Sequence, residues 1–128
     1  MQKQIHVAVA VIKIQDKILI AKRPKHLHKG GYWEFPGGKV ESGEAIENAL
    51  VRECLEELNI QPVSFTALQT IEHQYPEKKV LLDVWLVDDY LGVPKGLESQ
   101  PLVWCRVDEL KNYQFPEANQ AIIDLLIS

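Results

Sequence analysis

A chain of 128 residues, 46% hydrophobic and 25% charged, has the length and composition of one folded domain, which excludes the disordered, fibrous and collagen-like classes. Its formal net charge of -4 excludes a general duplex-binding surface, because displacing counterions from nucleic-acid phosphates takes a basic stripe. No apolar run is long enough to span a bilayer, and Met1 leads into three polar residues, Gln2-Lys3-Gln4; the expectation is one cytoplasmic, monomeric domain over residues 1–128, with no membrane or duplex partner.

From Ile5 to Ile14 the pattern is β-branched and apolar, and after Gln15, Asp16 and Lys17 it resumes at Ile18, Leu19 and Ile20, which predicts a hairpin. Residues 22–31, KRPKHLHKGG, carry Pro24 and the Gly30-Gly31 pair and predict a basic surface loop. A short strand, Tyr32 to Phe35, then enters Pro36-Gly37-Gly38. Ala45 to Leu58 predicts a helix whose apolar stripe is Ile46, Leu50, Val51, Cys54, Leu55 and Leu58. Asn59 is expected to end it in the left-handed conformation, with Pro62 beyond. Strands are predicted at Phe65 to Ile71, Val80 to Val87 and Leu102 to Val107, with Gly92, Pro94 and Gly96 marking a loop before the last. A closing amphipathic helix is predicted from Glu117 to Ile127. Cys54 and Cys105 lie among apolar residues without zinc-ligand spacing and are expected as buried, reduced thiols. Trp33, Trp85 and Trp104 are read as core residues, and His26 and His28 as loop residues with no ligand spacing.

The helix poses a chemical question. Glu53, Glu56 and Glu57 project within an arc of about 100°, opposite the apolar stripe. Like charges three and four residues apart repel, and carboxylates near a helix C-terminus oppose its macrodipole. A solvated acidic face is the bland reading. Against it, Arg52 is placed to hold one carboxylate by a charge-assisted contact, and Pro36-Gly37-Gly38 offers backbone that a ligand can approach closely. Carboxylates, a glycine carbonyl and water make an all-oxygen site suited to Mg2+, with Mn2+ as a substitute. Without a cation, mutual repulsion is expected to raise at least one of the glutamate pKa values. Carboxylate-held metal in a protein that must meet a polyanion points to phosphoryl chemistry, with one glutamate available as general base.

Gly38, Glu44, Arg52, Glu53, Cys54, Glu56, Glu57 and Ile60 fall at the spacing Gly-x5-Glu-x7-Arg-Glu-apolar-x-Glu-Glu-x-Gly-apolar, which resembles the Nudix box. Asn59 stands where that pattern has glycine. The resemblance extends over nearly the whole chain to the bacterial MutT-type Nudix enzymes, 8-oxo-dGTP diphosphatases, through Glu34 to Lys39, Trp85-Leu86-Val87 and Phe115 to Asn119. It implies an α/β/α sandwich with a mixed β-sheet between helices. It further implies metal binding by Gly37 through its carbonyl, Glu53, Glu56 and Glu57, with Glu98 adding another carboxylate. Glu53 is expected as general base, supported by Glu44 and Arg52. Arg23 and Lys39 are expected at phosphate oxygens, beside the close-approaching backbone of Gly38. His28, Glu34, Phe35 and Asn119 match positions around the nucleoside, and Lys78 falls where these enzymes have an arginine.

Asn119 bears on the base. In 8-oxoguanine N7 carries a hydrogen, so the edge formed by O6 and N7 becomes acceptor plus donor, which one carboxamide pairs bidentately. Normal guanine offers two acceptors there instead. A buried site built on such pairing discriminates by roughly 10⁴ or more. Composition alone would make Asn119 a helix cap. The implied reaction is metal-dependent hydrolysis of the nucleoside triphosphate 8-oxo-dGTP to 8-oxo-dGMP and pyrophosphate, which sanitises the nucleotide pool. The box equally allows CTP or a modified pyrimidine nucleotide, a dinucleoside polyphosphate or ADP-ribose. A non-catalytic nucleotide-binding module is disfavoured by the intact Arg-Glu-x-x-Glu-Glu core.

Overall fold

Strand β1, Lys3–Ile14, is the strand around which the others are arranged. The computed structural model describes residues 3–26 and 30–128. Along β1, Val9 and Val11 turn to one side of the sheet while Ala8, Ala10 and Ile12 turn to the other, the period-two alternation of a strand buried on both faces. One core joins Val9 and Val11 to Ile122 and Ile123 of helix α2, Gln120–Ile127. The second joins Ala8, Ala10 and Ile12 to Ala49, Leu50, Cys54 and Leu58 of helix α1, Ile46–Leu58. The result is the expected α/β/α layering, with alanines on β1 leaving room for α1 to approach.

The sheet is mixed. β1 runs parallel to β6, Lys78–Leu91, from Lys3↔Lys78 to Ile12↔Val87. β6 in turn pairs antiparallel with β5, Gln61–Gln74. On its other edge, β1 pairs with β4, Gly37–Lys39, through Val7↔Lys39 and Val9↔Gly37. The expected β1–β2 hairpin is present only at its turn, in Lys13↔Ile18 and Ile14↔Lys17. Beyond that, β2, Lys17–Lys22, pairs with β7, Leu102–Arg106, and with β3, Trp33–Glu34.

Several expectations are corrected. β5 and β6 are longer than their apolar cores because the hairpin continues through polar, exposed residues, where sequence patterning fades. Within the predicted helix stripe Leu55 is 43% exposed, and Ala49, absent from that stripe, is fully buried. The closing helix begins as a 3-10 turn, Glu117–Asn119, before becoming α2, and a second 3-10 turn, Val107–Asn112, has no sequence forecast. Trp33 and Trp85 pack against the cores, but Trp104 is 37% exposed. Cys54 and Cys105 are buried free thiols, and burial pushes the Cys54 thiol up to about 12. Among the described residues no helix is long and apolar enough to cross a membrane.

Candidate active site

Helix α1 lies over β4, and the three glutamates part company there. Glu56 points outward, 60% exposed, whereas the Glu53 side chain is 15% exposed. The Gly37 N–H donates to Glu57 Oε2 at 3.3 Å. A Cβ on Gly38 would lie 2.4 Å from the Glu53 carboxyl carbon, so the absence of a side chain is what lets this carboxylate settle on the strand. Gly37 is constrained differently. Its φ is +151°, and a Cβ there would lie 2.0 Å from the Ala8 carbonyl oxygen.

Arg52 organises the acidic face more extensively than a contact with one carboxylate. Its Nε and Nη2 donate to the two oxygens of Glu44 at 2.8 and 3.0 Å. Its Nη1 donates to Glu53 at 2.9 Å, and Nη2 also reaches the Lys39 carbonyl at 3.0 Å. That fork holds the Glu44 carboxyl down at about 2, chiefly by hydrogen bonding. The opposite holds at the strand. Burial, reinforced by Glu53, pushes Glu57 up to about 8. Burial likewise raises Glu53 against the pull of Arg52, with Glu56 and Glu44 adding to the rise. A raised glutamate pKa was expected from mutual repulsion, but desolvation is its larger cause.

The α1 C-terminus is closed by Asn59, at φ 60° and ψ 32°, whose N–H reaches the Cys54 and Leu55 carbonyls. The Glu57 and Leu58 carbonyls are met by the segment 92–100, which folds back onto the helix. The Lys95 N–H donates to the Leu58 carbonyl and the Leu97 N–H to the Glu57 carbonyl. This brings Glu98 into a narrow cavity shared with Glu34 and Glu57. Glu34 is raised by burial, opposed by Arg23, whose Nη1 lies 3.3 Å from its carboxylate, with Glu98 adding to the rise.

On the other side of β4 two adjoining cavities, of about 280 and 400 Å³, share Val7, Arg23, Lys39, Tyr75, Leu82 and Asn119. Glu34, Phe35, Gly37 and Gly38 line the first, and Lys78 the second. Phe35 is buried and stacked on Phe115, with ring centres 5.1 Å apart. Asn119 precedes α2, but its side chain makes no cap hydrogen bond, leaving the carboxamide at the cleft wall. Lys78 Nζ sits 5.8 Å from the centre of the Tyr75 ring. His28 lies outside the described residues. The structure therefore brings Arg23, Glu34, Phe35, Gly37, Gly38, Lys39, Lys78 and Asn119 along one cleft, with Glu53 and Glu57 behind its glycine strand. Tyr75 and Gln100 were missed: an aromatic before Pro76 and a glutamine in a loop carry no spacing signal.

The model of the NUDIX domain matches residues 7–125. The chain belongs to the Nudix hydrolases. This Nudix hydrolase is 38% identical over 122 residues to the 8-oxo-dGTP diphosphatase of Escherichia coli (strain K12), covering 94% of this chain and 95% of that one. It is also 35% identical over 126 residues to the CTP pyrophosphohydrolase of the same organism, covering 98% and 93%. Among solved structures, it is similar to a MutT described for Aliivibrio salmonicida and Vibrio cholerae, with a TM-score of 0.85, 41% identity and 98% of both chains covered.

Nudix hydrolases generally need divalent metal ions such as Mg2+. In this Nudix hydrolase no group of three or more His, Cys, Asp or Glu side chains among the described residues is drawn together as a ready-made cage. The donor chemistry nevertheless fits such an ion. Glu53 and Glu57 are desolvated carboxylates held above their ordinary pKa, they face glycine backbone, and the set is all oxygen.

Proposed function

We propose that the chain is a single catalytic domain over residues 1–128 that hydrolyses 8-oxo-dGTP to 8-oxo-dGMP and pyrophosphate and so keeps oxidised guanine out of the pool used for DNA replication. The observation that carries the reading is Asn119, whose carboxamide lies at the wall of the cleft and is not spent on capping α2. It offers one donor and one acceptor to the oxidised base edge, against the two acceptors of guanine. Phe35, Leu82 and Tyr75 supply apolar walls for a purine.

Glu53, Glu56, Glu57 and the Gly37 carbonyl would hold Mg2+ or Mn2+, with Glu98 as a further carboxylate; once bound, the cation neutralises phosphate charge and eases ionisation of water. Arg23 and Lys39, at the cleft, contact phosphate oxygens. Glu53 takes the proton of the attacking water on a carboxylate oxygen. Arg52, tied to Glu44, fixes the orientation of Glu53.

The test is steady-state hydrolysis of 8-oxo-dGTP, dGTP, CTP and ADP-ribose, with Mg2+ and with chelator, in the native protein and in Asn119→Ala. The expected outcome is a large kcat/KM preference for 8-oxo-dGTP, abolished by chelator, with the preference lost and slow cleavage retained in Asn119→Ala. Similarity to a CTP pyrophosphohydrolase supports a second reading. Preference for CTP, or selectivity unaffected by Asn119→Ala, would favour it.

A further inference from the structure

Gln100 lies outside the Nudix pattern of residues 38–60, yet its side chain joins the backbones of two glutamates of the site. Its Nε2 donates to the backbone carbonyl of Glu57 at 3.0 Å, and its Oε1 accepts the backbone N–H of Glu98 at 2.8 Å. The Glu57 carbonyl is one of the last four of α1 and has no partner within the helix. It receives Gln100 together with the Leu97 N–H. The surrounding loop is built tightly around this contact. Ser99 has φ 62° and donates its N–H to the Gly96 carbonyl, which turns the chain between Glu98 and Gln100. A Cβ on Gly96 would lie 2.2 Å from the Gln100 carbonyl oxygen. On the far side, Lys22 donates its N–H to the Pro101 carbonyl, anchoring the segment to β2. The loop is thus fixed at both ends by backbone bonds, and one carboxamide sets the distance between its crest and the acidic end of α1.

We propose that Gln100 is a positioning residue, whose bridge between the Glu57 carbonyl and the Glu98 N–H holds the Glu98 carboxylate against Glu57 so that both face the same divalent cation. The inference rests on reading Glu98 as part of the acidic site. Glu98 is an exposed residue that lines one cavity with Glu57 and Glu34, so its carboxylate stays beside theirs only if something opposes their mutual repulsion. The bridge supplies that opposition through neutral hydrogen bonds, without adding a positive charge that would compete with the cation.

The experiment compares the native protein with Glu98→Gln, Gln100→Met and the double variant. Three quantities are read: Mn2+ affinity by calorimetry without nucleotide, exchange of the Glu98 amide hydrogen by NMR, and kcat and KM for 8-oxo-dGTP. Gln100→Met is expected to weaken Mn2+ binding by about tenfold, the usual effect of losing a group that orients a ligand. It should also accelerate exchange at Glu98 and lower kcat by a similar factor, with KM changed by less than about twofold. In the Glu98→Gln background it should add less than about twofold, because the residue then has no carboxylate to place. Native Mn2+ affinity and a protected Glu98 amide in Gln100→Met would overturn the proposal, as would an undiminished effect in the double variant. Native Mn2+ affinity in Glu98→Gln would overturn the role of Glu98 and this inference with it, a result distinct from an impaired Glu98→Gln beside an intact Gln100→Met. Should Gln100→Met not fold, Gln100→Asn keeps the carboxamide but is too short to span both partners, and the same outcomes apply.

Discussion

Glu57 and Glu44 lie on or beside one helix, yet their environments push them in opposite directions. Glu44 faces the Arg52 fork and is held at about 2, whereas Glu57 lies half-buried against glycine backbone and is pushed up to about 8. Because Glu57 binds its proton more tightly in the folded chain than at its ordinary 4.5, the metal-free fold loses stability as pH rises through this window. Thermal unfolding with chelator, followed from pH 4.5 to 8.5, is expected to show a falling midpoint that levels off above about 8. Glu57→Gln should flatten much of that slope and raise the midpoint at the alkaline end; an unchanged slope would assign it elsewhere. Glu53→Gln is expected to fold normally and to lower kcat by about 10² to 10⁴, the range for a lost general base. Far-UV circular dichroism and single-turnover kinetics check the two halves of that statement. The acidic face was legible because its spacing is a helix property. Its division into half-buried Glu53 and Glu57 and exposed Glu56 was not, since that depends on where β4 passes.

At the scale of elements, the site is the meeting of α1 with the three-residue strand β4. Two adjacent glycines of that strand serve different ends, and alanine at each separates them. Gly37→Ala drives a Cβ into the Ala8 carbonyl, a rigid backbone neighbour, at a φ unfavourable for side chains. It should lower the unfolding midpoint markedly. At Gly38→Ala the nearest atoms are the carboxylate end of the Glu53 side chain, which can turn aside where backbone cannot, so stability should change by less than about 1 kcal/mol while Mg2+-dependent turnover falls, as a displaced carboxylate requires. Calorimetry and the hydrolysis assay on both variants check the pair; equal stability losses would refute the distinction. The Pro-Gly-Gly signal was plain in the sequence as a place of close approach. What approaches, a carbonyl at Gly37 and a carboxylate at Gly38, is set by the β1–β4 register.

Across the whole molecule, two cores on opposite faces of one sheet hold the site at its edge, and α1 belongs to both the core and the chemistry. Leu50, fully buried beneath the catalytic face, is expected to show this dependence. Leu50→Ala should cost about 2–5 kcal/mol, as comparable core truncations do, with metal affinity falling because the carboxylates lose their platform. Urea unfolding together with a Mn2+ titration checks it, and a destabilised variant with native Mn2+ affinity would show that the acidic face is held by β4 and Arg52 alone.

By itself the sequence determined what depends on local spacing: the helix with its polar and apolar faces, the left-handed exit at Asn59, the buried thiols, the Nudix pattern and the β-branched, apolar run of strand β1. Tertiary structure decided what depends on distant backbone. It brought Glu98 to Glu57 through a loop whose anchor, Gln100, has no motif, and Tyr75 to Asn119 across the cleft. It also limited the expected β1–β2 hairpin to its turn, with β7 taking most of the pairing with β2. Periodicity reports which face of an element is apolar, but the partner that covers that face is chosen by packing and register between residues far apart in the chain.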